Sequence, residues 1–289
     1  MKQVDYIPQI PQRPASAHKG TFGTVIVVGG CETMIGAPAL CARAAFRTGA
    51  GLVKIACPNS ILGHVLTVEP SATAIAIGGE TADAIAQIEM ADTRRRAVLA
   101  VGPGLGTDER NGELVRQLVR GQRPVVLDAD GLNLLATQLD EDPAAIYTHG
   151  PLVLTPHPGE FNHLADVLGI SADPVDPSQR IEAAVTLARE LDAVVLLKGQ
   201  HTVIAEPNQY AINPTGNAAL ATAGSGDVLT GMIASLIAQG MDIFNAARLG
   251  AYVHGLAGDE WSKQHGLRGL RAIELTDWLP RAFGMVPRR

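Results

Sequence analysis

The sequence predicts an α/β fold: a mostly parallel central sheet with an antiparallel edge and helices on both faces. Three observations predict it. Short, β-branched apolar runs alternate with segments whose apolar residues repeat at helical spacing, as parallel strands joined by crossover helices do. The runs are apolar throughout, so both faces of each strand need covering. After Lys198 the helical spacing stops and two strand-like runs follow each other across a Pro-Asn turn, which puts an antiparallel edge on the sheet. With 289 residues, 46% of them hydrophobic, the chain can bury a large core. No repeat, low-complexity segment or linker divides it, so residues 1–289 are expected to form one domain, with residues 1–19 as a Pro-containing N-terminal arm.

That arm carries Pro8, Pro11 and Pro14 and no apolar centre, which predicts neither a signal peptide nor a membrane span. His18, Lys19 and Gly20 make a basic, flexible entry to the first strand, Thr24–Val28, which closes at Gly29-Gly30. A helix over Ala37–Thr48 ends near Gly49. Further strands are expected at Leu52–Ala56, Ala72–Ile77, Ala97–Val101, Pro124–Leu127, Leu152–Leu154 and Ala193–Leu197. Helical spacing falls between most of them: Leu114 and Leu118 stand at i, i+4, and Ile181, Ala184, Val185 and Ala188 form one stripe. Thr202–Ala205 and Gln209–Ile212 are the antiparallel edge. An apolar run after Asp227 predicts a buried helix, followed by helices at Phe244–Lys263 and Ala272–Phe283.

Bulk composition excludes several function classes. Only 4% of residues are aromatic and the net charge is −6, which suits neither a base-stacking surface nor a general polyanion binder, so no nucleic-acid partner is expected. No apolar run approaches the ~20 residues that cross a bilayer, so no membrane partner is expected either. Cys31, Cys41 and Cys57 have no metal-like spacing and read as reduced thiols of a cytoplasmic protein.

Doubly wound sheets place ligands beyond the carboxyl ends of their strands, and Gly, Pro and charged residues recur there. Gly224-Ser225-Gly226-Asp227 leads into the buried helix, so several backbone N–H groups converge at its positive end, a ready anion site. Asp227 there is either a helix cap or a base that takes a hydroxyl proton while a phosphoryl group arrives. As a low-pKa carboxylate it would act as a late acceptor. Gly102-Pro103-Gly104-Leu105-Gly106 permits close backbone approach, yet Thr107 stands where a dinucleotide fingerprint needs its third glycine and Pro103 lacks an N–H. Neither a Walker loop nor a GxSxG elbow around Ser225 is present. His157, stiffened between Pro156 and Pro158, orients a ligand or serves structure. Glu160 is a first-turn acid or a metal group. Asp128 and Asp130, one residue apart at a strand end, face the same way in extended backbone and would suit magnesium, with capping by Asp130 as the alternative. Lys198, ending an apolar strand, needs a phosphate or carboxylate partner.

Taken in order, eight segments resemble one family. They are His18-Lys19-Gly20-Thr21-Phe22-Gly23, Gly36-Ala37-Pro38, Gly49-Ala50-Gly51-Leu52-Val53, Gly102–Gly106, Asp128-Ala129-Asp130, Leu154–Phe161, Leu197–Thr202 and Gly224–Asp227. Together they resemble the ADP-dependent NAD(P)H-hydrate dehydratases of the ribokinase-like superfamily, over nearly everything from His18 to Asp259. The resemblance implies a three-layer α/β/α fold and repair of hydrated nicotinamide cofactors. ADP phosphorylates the ring hydroxyl, phosphate leaves, and NADH or NADPH is restored with release of AMP. It implies that Ala37, Gly106, His157 and Asp227 contact the hydrated cofactor. Lys198, Gly199, Gln200, His201 and Thr202, with Gly224, Ser225 and Gly226, would hold the adenine nucleotide, and Asp227 would be the base. It further implies magnesium, with Glu160 and Asp128 as possible ligands, and a homotetramer. The chain departs from the family at Met34, where an aromatic residue is common. Asn217-Ala218-Ala219 and Thr222-Ala223-Gly224 stand where Asn-Pro-Gly and Thr-Gly-Gly are usual, which matters if Ala223 takes a positive φ. The length leaves no room for an epimerase domain, so action on the S epimer alone is expected. An ATP-dependent kinase of a vitamin-precursor alcohol and a catalytically silent nucleotide-binding regulator are the competing expectations.

Overall fold

A computed structural model describes residues 1–142, 144 and 148–287. Its first half runs β1 (Lys2–Gln3), β2 (Thr24–Val28), α1 (Gly36–Thr48), β3 (Leu52–Pro58), α2 (Leu62–Val68), β4 (Thr73–Ile77), α3 (Thr81–Ala91), β5 (Val98–Val101), α4 (Glu109–Val119), β6 (Val125–Leu127) and α5 (Asp130–Glu141). The second half runs β7 (Leu152–Leu154), α6 (Pro158–Leu168), α7 (Arg180–Glu190), β8 (Val194–Leu197), β9 (Val203–Glu206), β10 (Gln209–Ile212), α8 (Ser225–Ala238), α9 (Ile243–His265) and α10 (Ala272–Met285).

The strands form one ten-stranded sheet in the order β1-β10-β9-β8-β7-β6-β5-β2-β3-β4 among the described residues. β2 to β8 pair in parallel, and β9 runs antiparallel to both its neighbours, β8 and β10. Successive side chains on a strand point to opposite faces, and both faces are packed. Val25, Val27, Val53, Ile55, Val126 and Leu196 meet α1, α8, α9 and α10 on one side. On the other, Ile26, Val28, Leu99, Val125, Leu127 and Val195 meet α3 to α7. This two-sided cover explains why the strands read as unbroken apolar runs. Every residue of α8 from Val228 to Ile237 is buried, as a helix sandwiched between other elements requires. Among the described residues no helix is long and apolar enough to cross a membrane.

The N-terminal arm departs from expectation. Lys2 and Gln3 pair in parallel with Gln209 and Tyr210, so β1 extends the sheet beyond the antiparallel edge. Buried Arg248 then donates to the carbonyl of Tyr6 and stacks on its ring. The pairing rests on backbone bonds that leave no hydrophobic periodicity to read. The basic entry is likewise ordered: Lys19–Phe22 forms a 3-10 turn, with His18 Nδ1 accepting from the Gly20 amide at 3.1 Å.

Candidate functional site

At the carboxyl ends of β6, β7 and β8 opens a cavity of about 970 Å³. Lys198 to Thr202, the loop 213–222, the start of α8 and His254 on α9 form its walls, with Asp128 and His157 also lining it. Of the residues the sequence singled out, Asp128, His157, Lys198–Thr202 and Gly224–Asp227 converge here. Ala37 and Gly106 do not line it. Ala37 packs beside the 102–106 loop, where a methyl on Gly104 would lie 3.1 Å from its Cβ.

The turn before α8 is shaped for an anion. Gly224 sits at φ 85°, the left-handed region that glycine enters freely, whereas Ala223 is not among the residues of positive φ. Its departure from the family pattern is therefore accommodated. Ser225 donates its amide to the Thr222 carbonyl at 3.3 Å. The Gly224, Gly226 and Asp227 amides find no acceptor among the described residues, so of this turn only the Ser225 amide is already engaged and unable to face an anion. A methyl on Gly226 would stand at ordinary contact distance, 3.5 Å from Lys198 Nζ and 3.6 Å from Asp128 Oδ2, so the turn sits directly over a buried ion pair.

That pair forms the floor. Lys198 Nζ donates to Asp128 Oδ1 at 2.7 Å and lies 3.5 Å from Glu160 Oε2. Thr230 donates its hydroxyl to Asp128 Oδ2 at 2.6 Å. Asp128 is only 1% exposed. Burial alone would push its carboxyl up, but the Lys198 cation and the Thr230 and Thr155 hydroxyls hold it below the ordinary carboxylate range. Burial likewise pulls Lys198 down, and the charges of Asp128 and Glu160 outweigh it, leaving the ammonium above its usual value. The partner expected for Lys198 is thus a protein carboxylate.

Asp227 is the exception among these carboxylates. Its side chain makes no hydrogen bond or ion pair among the described residues, and Gly224, the residue preceding α8, has no side chain to cap it. The cap reading fails for want of a cap bond. The low-pKa expectation is also corrected: burial, reinforced by the negative charge of Asp128 and only partly offset by Lys198, pushes Asp227 up to about 7. Such a group is poised for proton transfer near neutral pH.

The structural role proposed for His157 is present. It caps α6, its Nδ1 accepting from the amides of Gly159 and Glu160 at 2.9 and 3.2 Å. Nδ1 as acceptor leaves the proton on Nε2, and the side chain is 56% exposed with Nε2 3.5 Å from Glu160 Oε1. Glu160 in turn accepts from the His157 amide at 2.8 Å, so it is a capping-box and ion-pair residue.

The expected Asp128–Asp130 pair does not form. Ala129 between them takes φ 51°, which breaks the strand alternation. Asp128 turns to Lys198, while Asp130 accepts from the Gly106 amide at 2.8 Å. Asp130 therefore fastens the glycine loop and is not the cap, since Ala129 precedes α5. Magnesium does not fit the ligands named for it: Asp128 and Glu160 are already turned to Lys198. No group of three or more His, Cys, Asp or Glu side chains among the described residues is placed to hold a metal.

Several site residues escaped sequence reading. Asp259 accepts from the Gly216 amide at 2.9 Å and from Asn217 Nδ2 at 2.7 Å, fixing the 213–217 wall. Thr230 and His254 are polar residues inside apolar helical stretches. That placement was the available signal.

Comparison with known proteins agrees with the geometry. The NAD(P)H-hydrate dehydratase family matches residues 25–281. The chain is 47% identical over 282 residues to the bifunctional NAD(P)H-hydrate repair enzyme Nnr of Moorella thermoacetica, covering 94% of this chain and 51% of that protein. It thus spans about half the length of that relative. It is 38% identical over 277 residues to the ADP-dependent (S)-NAD(P)H-hydrate dehydratase of Bacillus subtilis, covering 95% and 94% of the two chains. The crystal structure of the ADP/ATP-dependent NAD(P)H-hydrate dehydratase from Bacillus subtilis, co-crystallized with ATP/Mg2+, superposes with a TM-score of 0.79 at 33% identity, over 96% of this chain and 94% of that one. Arabidopsis thaliana ribokinase shares the fold at a TM-score of 0.57 and 12% identity, over 90% and 98% of the chains, so the fold is ribokinase-like.

Proposed function

Because the chain belongs to the NAD(P)H-hydrate dehydratase family, we propose that it dehydrates the S epimer of hydrated NADH and NADPH, using ADP and releasing AMP and phosphate. The observation that carries this reading is the partnerless Asp227 carboxyl, held near neutrality beside two unclaimed amides at the start of α8. A cap would have no reason to stand so.

In the proposed reaction ADP lies in the large cavity along Lys198–Thr202, with its terminal phosphate at the Gly226 and Asp227 amides. The hydrated ring lies on the other side of Asp227, near Ala37, Gly106 and His157, with the His157 Nε2–H available to orient it. The ring hydroxyl oxygen attacks the terminal phosphorus of ADP as the bridging P–O bond to AMP breaks. Asp227 takes the hydroxyl proton late, since a loose transition state needs little proton removal before transfer. The amides stabilise charge on the travelling group. The C–O bond to phosphate then breaks as the ring nitrogen lone pair pushes it out, and loss of a proton from the adjacent ring carbon to water restores the reduced nicotinamide. Magnesium enters this proposal only in the company of nucleotide phosphates, and no step depends on it. The same reading extends to a single-domain subunit of a cytoplasmic homotetramer.

Incubating hydrated NADH with ADP or with ATP tests the proposal, following recovery of reduced-nicotinamide absorbance together with AMP. Recovery matched by AMP in the ADP arm is expected. A phosphorylated product that persists, formed from ATP on another alcohol, would replace the proposal with a kinase. Loss of any turnover in both arms would leave a silent binder.

The pH profile gives a second check. Asp227 must be ionised to accept the proton, and its carboxyl titrates at about 7. Accordingly, kcat/KM is expected to rise with pH through about 7 and level off above it. A profile that is flat from pH 5 to 8 (roughly the window spanning that value) removes the base from the scheme.

A further inference from the structure

The cavity wall holds a histidine that the proposed chemistry does not use. His254 is buried, on a stretch of α9 whose neighbours are Val253, Gly255, Leu256 and Ala257. Its Nε2 lies 3.0 Å from the carbonyl oxygen of Ser225 and 3.1 Å from the Ser225 Oγ. A carbonyl oxygen only accepts, so Nε2 carries the ring proton. Protonated, Nε2 has no lone pair to offer the Ser225 hydroxyl. That hydroxyl proton then has no acceptor among the described residues, while both Ser225 and His254 line the cavity. Burial pushes His254 down to about 4, so the neutral ring persists near neutral pH.

Ser225 is the first residue of α8, immediately before the unclaimed Gly226 and Asp227 amides. We infer that His254 is a positioning residue: by donating from Nε2 to Ser225 it aims the Ser225 hydroxyl proton into the cavity, where it donates to the terminal phosphate of the nucleotide. The inference rests on the reading that a nucleoside diphosphate occupies this cavity. It adds a side-chain hydroxyl donor beside the backbone amides of the phosphate site, and gives the buried histidine its purpose.

Titration calorimetry with ADP and AMP tests it on the full chain, because AMP lacks the terminal phosphate. Ser225→Ala is expected to weaken ADP about tenfold, the size of one hydrogen bond to a charged group, with AMP binding unchanged. His254→Leu should do the same. His254→Gln, whose terminal amide restores an N–H donor, should recover most of the ADP affinity, and Ser225→Ala/His254→Leu should be no weaker than either single variant. Should His254→Leu fail to fold, Ser225→Ala and His254→Gln decide. Equal weakening of ADP and AMP, an unchanged Ser225→Ala, a His254→Gln that recovers nothing, or fully additive losses would overturn the inference. These affinities are separate from turnover: variants that show the ADP pattern, in a protein whose wild type does not dehydrate hydrated NADH, overturn the proposed reaction and leave this inference standing. Normal turnover with no ADP pattern does the reverse.

Discussion

Asp227→Asn is expected to lower kcat by at least ~10²-fold while ADP still binds. The replacement is nearly isosteric and removes only the ability to accept a proton. No cap bond is lost, because the carboxyl makes none, and the Gly226 and Asp227 amides remain in place for the phosphate. Near-normal turnover in the variant would reduce Asp227 to a bystander.

The same substitution carries a stability signature. Burial raises the Asp227 carboxyl from 3.8 to about 7 in the folded chain. In the unfolded chain it ionises at the lower value, so folding holds the proton more tightly. The stability of the wild-type protein therefore falls as pH climbs from about 4 to about 7, and the full loss is present above that. Roughly three pKa units correspond to about 4 kcal/mol as an upper figure, and water reaching the partly open side chain makes the real effect smaller. Asp227→Asn is thus expected to melt higher than wild type at pH 8 and alongside it at pH 4, a trade of stability for activity at the reacting centre. Melts that differ by the same amount at both pH values would contradict the raised carboxyl.

Lys198→Met is expected to cost about 3–5 kcal/mol of stability at neutral pH. It strips the cation from Asp128, which is 1% exposed, and from Glu160, also buried. The Asp128 carboxyl, held low in the wild type by that cation against the burial that pushes it up, should then rise and take up a proton. The destabilisation should accordingly be largest at neutral and alkaline pH and shrink in acid. Adding Asp128→Asn should recover much of the folding loss without recovering ADP binding, because the cation facing the cavity is still gone. Denaturant titrations across pH, paired with ADP titration, separate the two. If Lys198→Met folds as well as wild type at pH 8, the floor of the site is not a coupled charge pair.

The inner parallel strands β2, β5, β6, β7 and β8 were legible because they are buried on both faces and therefore spelled almost entirely in Val, Ile, Leu and Ala. The site was legible wherever chemistry is local: Gly224 to Asp227 occupy one turn, and His157 to Glu160 another. Contacts between remote segments were not. Thr230 reaches Asp128 from another helix, and Asn217 meets Asp259 only because the 213–217 loop folds over α9. The Asp128–Asp130 reading went astray at a single residue, since spacing assumes continuous extension and Ala129 turns through a left-handed φ instead. The Asp227 pKa was misjudged for a related reason. A helix start lowers a carboxyl in isolation, but the buried Asp128 charge and the surrounding apolar packing become visible only once β6 and α8 are brought together.

The short β1 has a bearing on solubility. A sheet's last strand displays a row of unpaired amides and carbonyls that another chain can zip onto. Here the flank of Gln209 and Tyr210 is occupied by Lys2 and Gln3. What lies outermost on that side is a two-residue strip carrying a positive charge, too brief and too hydrophilic to template fibril growth.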